Sequence, residues 1–356
     1  MSNRLLHMTS ALSAPGAALG MPALILPDRR LRRVRFIDAM MTYDRKVVDS
    51  TGAFLIGELE RLDQKLHDPL VSVSWSRDID LREDVTIGDE VSSFTNSSFA
   101  SAGGITPGGK AWISKDANSI TGIALDIGKT ANPLYLWGME LKYTLPELDS
   151  AQRLGRPVDA QKYAGMQLKH QMDIDEMVYT GDTTLGKTGL VNSALVTPIS
   201  VLAGVGGNTW ALKTPDEILA DFNKLLNDTW AAAGWAVMPS KVLLPPLKFS
   251  YLVSQKVSSA GNMSILQYLK DNSLCNAANG TPLDIQPVKW LTGAGAAGVD
   301  RMVAYTQNVD RVRYPLVPLQ RTPLEYRSLF QMTTYYGRLG VVELVYPETV
   351  GYMDGM

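Results

Sequence analysis

The stretch VDAQKYAGMQLKHQMDIDEMVYTGDTTLGKTGLVN, Val158 to Asn192, decides the architecture. Tyr163, Met166, His170, Ile174 and Met177 recur at steps of three, four, four and three, the spacing of one α-helical face. Pro157 stands where helices begin and Gly181 where one can stop, so a helix is predicted from about Val158 to Thr180. At 1.5 Å per residue it would span roughly 30 Å. Ala160, Ala164 and Leu168 form a second stripe beside the first, which predicts cover on more than one side.

The same stretch contains a possible nucleotide site. Gly181 to Thr188, GDTTLGKT, has the spacing of a phosphate-binding loop in which Lys187 and Thr188 would act. That motif needs a buried strand before the glycines and a helix starting at the lysine, so that amides and helix N-terminus face the anion. Here the strongest helix in the chain precedes Gly181, and Gly189 and Pro198 follow soon after. A glycine-rich helix stop followed by a hairpin is the preferred reading, with a nucleotide hydrolase kept as a distant alternative. Asp173, Asp175, Glu176 and Asp182 suggest magnesium, but helical residues two apart project about 200° from each other and do not converge on one ion. A wet or intersubunit face is expected instead.

Upstream, Leu134 to Leu145 is rich in aromatic and strand-forming residues, while Ser92 to Gly109 reads SSFTNSSFASAGGITPGG. The latter can neither build a core nor propagate a helix, so it is expected to be a mobile tip or to be ordered by another molecule. Val71, Val73 and Trp75 alternate as in a strand. Leu55, Leu59, Leu62 and Leu66 predict a helix that Pro69 ends. The first 35 or so residues join an Ala/Gly/Pro-rich segment to Arg29, Arg30, Arg32, Arg33 and Arg35. This composition does not fold alone and reads as an extended arm, suited to nucleic acid or to an acidic neighbour.

Downstream, Thr214-Pro215-Asp216-Glu217 is a helix start with a capping hydroxyl and a glutamate three residues on, and Ile218, Phe222, Leu225 and Leu226 face inward behind it. Lys241 to Leu244 reads as a strand. Helices are expected around Phe249 to Val257 and Ser264 to Lys270, and strands near Leu283 to Leu291 and Arg301 to Thr306, an α/β mixture. Leu339 to Val345 makes the terminus β-rich.

Composition narrows the function. The 356 residues are 45% hydrophobic and 20% charged, with a net charge of −2, which argues against a generally basic nucleic-acid binder and for two linked subdomains. A single cysteine, Cys275, calls for no disulfide and reads as a small, partly buried residue. His7, His67 and His170 lack metal-ligand spacing, so neither metal nor cofactor is called for. No serine elbow or Cys-His pair supports catalysis, and an enzyme is not expected. Pro15, Gly16, Gly20 and Pro22 interrupt any signal-peptide core, and no run reaches the ~18 apolar residues of a membrane helix. A soluble chain or assembly, without a membrane partner, is therefore expected.

Local text then carries a resemblance. The run WGMELKYTLPELD, Trp137 to Asp149, followed by the helix, by DEMVYTG at Asp175 to Gly181 and by GLVN at Gly189 to Asn192, resembles the major capsid proteins of tailed double-stranded DNA bacteriophages. So does the ending GVVELVYP, Gly340 to Pro347, with VGYMDG at Val350 to Gly355. The resemblance implies an α+β tailed-phage major capsid fold with N-terminal arm, extended β-hairpin loop, peripheral domain with long spine helix, and axial α/β domain. Its implied divisions are 1–70 for arm and helix, 71–145 for the extended loop with flanking strands, 146–205 plus 321–356 for the peripheral domain, and 206–320 for the axial domain. It implies pentamers and hexamers of one chain closing an icosahedral shell around double-stranded DNA, assembled in the host bacterial cytoplasm. Portal, scaffolding and decoration proteins are further implied partners. The five arginines would contact DNA or a neighbouring subunit. An encapsulin-like nanocompartment of the same fold is the alternative.

Overall fold

The computed structural model describes residues 23–25, 31–33, 71–102, 122–153, 158–258 and 262–356. The chain divides into two units, Met1–His67 and Asp68–Met356. In the first, β1 (Ala23–Ile25) and β2 (Leu31–Arg33) pair antiparallel. The expected helix at Leu55 to Leu66 lies outside the described residues.

The second unit opens on a correction. Val71 to Ser74 forms no strand, and Trp75–Asp78 is a short helix, α1. The amides of Ser74 and Trp75, which a strand would have given to a neighbour, go to the Asp175 carboxylate at 2.9 and 3.1 Å. After β3 (Asp80–Arg82) come β4 (Val91–Ala102) and β5 (Gly122–Pro133), paired antiparallel without a break from Val91↔Pro133 to Ala102↔Gly122. Much of the Ser-rich stretch is therefore regular strand. Its amides and carbonyls are satisfied by the partner strand, so poverty in core-forming side chains does not prevent pairing. Residues 103–109 of the stretch lie outside the described residues.

From β6 (Tyr135–Thr144) the chain enters α2 (Leu145–Arg153) and α3 (Val158–Tyr179). At 22 residues α3 is about 33 Å long. Met166, His170, Ile174 and Met177 are buried as the first stripe predicts, whereas Tyr163 at its start is exposed. The second stripe is corrected: Ala160 and Ala164 are exposed and Leu168 half-buried. The first half of α3 meets the sheet on one side, with the Tyr163 ring 5.3 Å from that of Tyr335, and α2 through Lys162, which pairs with Glu147 at 2.7 Å.

β7 (Pro198–Ser200) precedes α4 (Pro215–Ala232). Thr214 and Glu217 close the predicted capping box, a feature worth about 1 kcal/mol. Then follow β8 (Lys241–Leu244), α5 (Pro246–Ser254), α6 (Ile265–Asn272), α7 (Leu274–Asn279), β9 (Asp284–Pro287) and β10 (Arg301–Tyr305). The strand expected to reach Leu291 stops at Pro287, and Lys289–Leu291 is a 3-10 turn. The last strands are β11 (Val312–Arg321), β12 (Glu325–Arg327), β13 (Phe330–Leu339), β14 (Glu343–Leu344) and β15 (Gly351–Asp354).

Two sheets organise these elements. In one, β13 is flanked by β6 over its whole length and by β11 and β12, while β14 and β3 also pair with β11. The other runs β7-β15-β10-β8-β9, and its three inner strands are buried on both faces. Leu243, Val303, Tyr305 and Tyr352 point into a core with Ile174, Tyr179 and Leu190. Their neighbours Val242, Leu244, Met302, Ala304 and Met353 point into a second core with Phe222 and Leu225 of α4. Alternating side chains of one strand thus serve two cores, which is why these strands read as unbroken apolar runs. Sheet membership crosses the boundary drawn at 320/321, since β15 completes a sheet with β8, β9 and β10 while β11 joins β13.

Candidate functional site

The end of α3 is fixed by glycines. Gly181 has φ +73°, and a Cβ there would lie 2.3 Å from the Lys187 carbonyl oxygen. The chain then doubles back, and the amides of Leu190 and Val191 donate to the carbonyls of Val178 and Tyr179 at 2.8 and 3.0 Å. These are two carbonyls that a helix end otherwise leaves without partners. Asn192 seals the return: Gly189 N donates to its Oδ1 at 2.7 Å and its Nδ2 donates to Thr180 O at 2.8 Å.

This geometry opposes phosphate binding. The loop from Gly181 to Thr188 follows the carboxyl end of a helix, whose dipole presents partial negative charge, and no helix starts at Lys187. Lys187→Ala is expected to leave nucleotide titrations unchanged and to move unfolding free energy by no more than about 0.5 kcal/mol. A saturable nucleotide signal lost in the variant would restore the hydrolase reading.

The acidic residues of α3 have separate tasks. Asp175 is fully buried, contrary to the expected wet face. Oδ1 accepts from Ser74 N and Trp75 N, and Oδ2 from Trp290 Nε1 at 2.7 Å, with Lys289 Nζ at 3.2 Å. It staples α1 and the Lys289–Leu291 turn to the helix. Asp173 pairs with Lys169 at 2.5 Å and accepts from Trp137 Nε1 at 2.8 Å. Glu176 is exposed. Among the described residues no cluster of His, Cys, Asp or Glu could hold a metal ion.

Beside this helix end lies a groove of about 610 Å³, with Met177, Leu339, Trp137 and Trp290 among its lining and Glu176 and Asp182 at the acidic side. A second feature is the base of the β4/β5 hairpin. Glu343, fully buried, accepts from Ser92 Oγ of β4 and from Arg313 Nε at 2.7 Å, with Arg82 at 3.4 Å. Asn96 Nδ2 donates to Val345 O at 3.2 Å. Beyond that anchored base, Ile123, Leu125 and Ile127 of β5 share one face and are 76%, 53% and 61% exposed.

His170 is buried against Trp137, ring centroids 4.7 Å apart, and its Nε2 finds no hydrogen-bond partner among the described residues. Burial pushes its pKa below the usual imidazole value, and the Asp173 carboxylate opposes that only in part. The unfolded chain therefore takes up this proton first. Stability is whole above about pH 6.5 and falls as pH drops through that value toward the folded pKa, by at most about 1.4 kcal/mol per pH unit. His170→Phe, which does not titrate, is expected to flatten this part of the acid-side decline in thermal midpoint between pH 7 and 5. A parallel decline in both proteins would remove His170 from the acid response.

Of the arginines singled out in the sequence, Arg29, Arg30 and Arg35 lie outside the described residues, and Arg32 and Arg33 are placed only as backbone of β2. His7 and His67 also lie outside them. Cys275 is buried, which pushes its thiol pKa up. Among the described residues no helix is long and apolar enough to cross a membrane. The staple at Asp175 and the hairpin anchor at Glu343 are not legible in the sequence, because the staple's partners lie 100 or more positions away, and those of Glu343 lie 30 positions away at Arg313 and more than 250 away at Ser92 and Arg82.

Comparison with known proteins follows the same lines. No curated protein sequence matches the chain. Among solved structures, the capsid of Myoviridae phage XM1 superposes with a TM-score of 0.67 at 16% identity, covering 84% of this chain and 98% of its own. The capsid of the native GTA particle gives 0.56 at 11% identity, covering 88% and 99%. A structure from Gordonia phage Cozz gives 0.53 at 14%, covering 90% and 98%. These likenesses show the α+β capsid fold. The family described as Major capsid protein matches residues 108–356, so the chain belongs to the major capsid protein family of tailed phages and is a structural subunit of a virion shell.

Proposed function

We propose that the chain assembles through pentamers and hexamers into an icosahedral shell that encloses double-stranded DNA, and that it acts without catalysis. The observation that carries this reading is the β4/β5 hairpin, tied to the body at its base by Glu343 and bearing exposed Ile123, Leu125 and Ile127 along one face. Fully burying each such side chain is worth about 1.5–3 kcal/mol, a gain that one copy alone leaves unused and a neighbouring copy can supply. Residues 71–145 supply the extended loop, 146–205 with 321–356 a peripheral domain and 206–320 an axial one, the five-stranded sheet being common to the last two. Assembly takes place in the host bacterial cytoplasm, with portal, scaffolding and decoration proteins as further partners. Arg29, Arg30, Arg32, Arg33 and Arg35 contact DNA or a neighbouring subunit.

Electron microscopy of the expressed chain and of its source particle tests this. Closed shells with five- and six-fold capsomers are expected, filled with DNA in the source particle. Monomers alone in both preparations would overturn it, and shells filled with protein cargo would favour a nanocompartment.

A further inference from the structure

The groove at the end of α3 is charged in an unusual sense. A helix terminus with partial negative charge ordinarily carries Lys, Arg or His in its last turn; α3 carries none there. Its last turn instead carries Glu176, the turn before it Asp173 and Asp175, and Asp182 stands just beyond. Lys169 and Lys289 compensate Asp173 and Asp175. Glu176 and Asp182 have no ion-pair partner among the described residues. Between these carboxylates the groove has an apolar lining, Met177 and Leu339, and two indoles held by their own hydrogen bonds, Trp137 on Asp173 and Trp290 on Asp175. Lys289 already lies 5.0 Å over the Trp290 ring, and the Asp182 carboxylate accepts from the Thr184 amide; oriented indoles next to carboxylates without an ion-pair partner suit a guanidinium, which stacks on a ring and pairs with the acid in one pose.

The sequence holds a matching occupant. Arg29, Arg30, Arg32, Arg33 and Arg35 are interleaved with Leu31 and Val34, so the segment offers guanidinium groups for the carboxylates and apolar side chains for the lining. We propose that the groove beside Trp137, Trp290, Glu176 and Asp182 receives the arginine-rich segment Arg29–Arg35 of a second copy of the chain. The proposal rests on the shell reading, because it requires copies side by side. A DNA backbone would use the arginines but would be repelled by the carboxylates, so a second copy is the better match.

Assembled particles carrying Arg32→Cys and Thr183→Cys, the latter at an exposed position of the groove, test this under mild oxidation. Native Cys275 is buried and serves as an internal control. Dimers and higher ladders on non-reducing gels are expected, reduced at least fivefold when Glu176→Lys and Asp182→Lys are added. Particles that assemble without an interchain bridge, or with a bridge inside one chain, overturn the proposal and leave the shell reading standing; release of DNA by the arginine variants without any bridge would assign the segment to DNA instead. Should the cysteine variants not assemble, a labelled peptide of residues 26–38 is titrated onto the full chain with its five arginines changed to serine. Saturable binding weakened at least tenfold by Glu176→Gln with Asp182→Asn supports the groove, and equal binding to both overturns it. Absence of particles from the unmodified chain would count against the shell reading itself.

Discussion

Asp175→Ala is expected to destabilise the subunit by about 3–5 kcal/mol, enough to remove most soluble protein from a marginally stable fold. The carboxylate is fully buried and accepts from two backbone amides and one indole. Alanine leaves three donors with no acceptor, and each buried orphan costs about 1–3 kcal/mol. Lys289 is 41% exposed and can turn to water, so it adds little to the loss. Asp175→Asn sharpens the test. An amide has one oxygen, whereas the site uses Oδ1 for the Ser74 and Trp75 amides and Oδ2 for Trp290, so the asparagine NH2 must face a donor on one side. Denaturant unfolding of unassembled subunits should rank wild type above asparagine and asparagine above alanine. Equal midpoints for all three would mean that the staple between α1, α3 and the Trp290 turn contributes nothing.

That staple also shows where sequence reading ends. The periodicity of Tyr163 to Met177 located α3, and the capping residues Thr214 and Glu217 located α4, because both signals are local. Asp175 adjoins Ile174 at the edge of the buried stripe, but only its partners near residue 75 and at Trp290 make a buried carboxylate tolerable. Those partners become visible only once the chain is folded. Other misses had a local signal. Thr144-Leu145-Pro146-Glu147 starts α2 as Thr214 to Glu217 starts α4, with Glu147 N donating to Thr144 Oγ1 at 3.2 Å, yet the aromatic run before it reads as strand throughout. Ser273 likewise caps α7, and Gly280 in the left-handed region ends it. The Ser-rich stretch reads as a tip that builds no core, whereas its pairing is not legible, since Gly is depleted in strands and Phe94 and Phe99, five positions apart, give no alternating apolar pattern. What the groove and the hairpin face have in common is surface unsatisfied within one chain, and sequence periodicity does not report that.

Gly189→Ala should be nearly as damaging as the loss of Asp175, and it discriminates between the two readings of Gly181 to Thr188. A Cβ at residue 189 would stand 2.4 Å from the Tyr179 carbonyl oxygen and 2.5 Å from its carbon, which are backbone atoms at the end of a packed helix. The returning chain has to move away. In moving it breaks the bonds from Leu190 and Val191 to Val178 and Tyr179, and it withdraws two side chains that are fully buried. Losing two buried hydrogen bonds and part of two aliphatic contacts amounts to about 3 kcal/mol or more. Gly181→Ala meets the same obstacle at the Lys187 carbonyl and adds the strain of a positive φ. By contrast, a Cβ at Gly186 meets nothing within 4 Å, so Gly186→Ala costs only the roughly 1 kcal/mol of its φ of +63°. A phosphate-binding loop would reverse this order, because Gly186, Lys187 and Thr188 are the positions that face a nucleotide. Particle yield and thermal midpoint measured across Gly181→Ala, Gly186→Ala, Lys187→Ala and Gly189→Ala therefore separate a turn that closes a helix from a loop that binds an anion. Wild-type behaviour of Gly189→Ala would remove the turn reading, since no relaxation of a side chain can make room between two backbones.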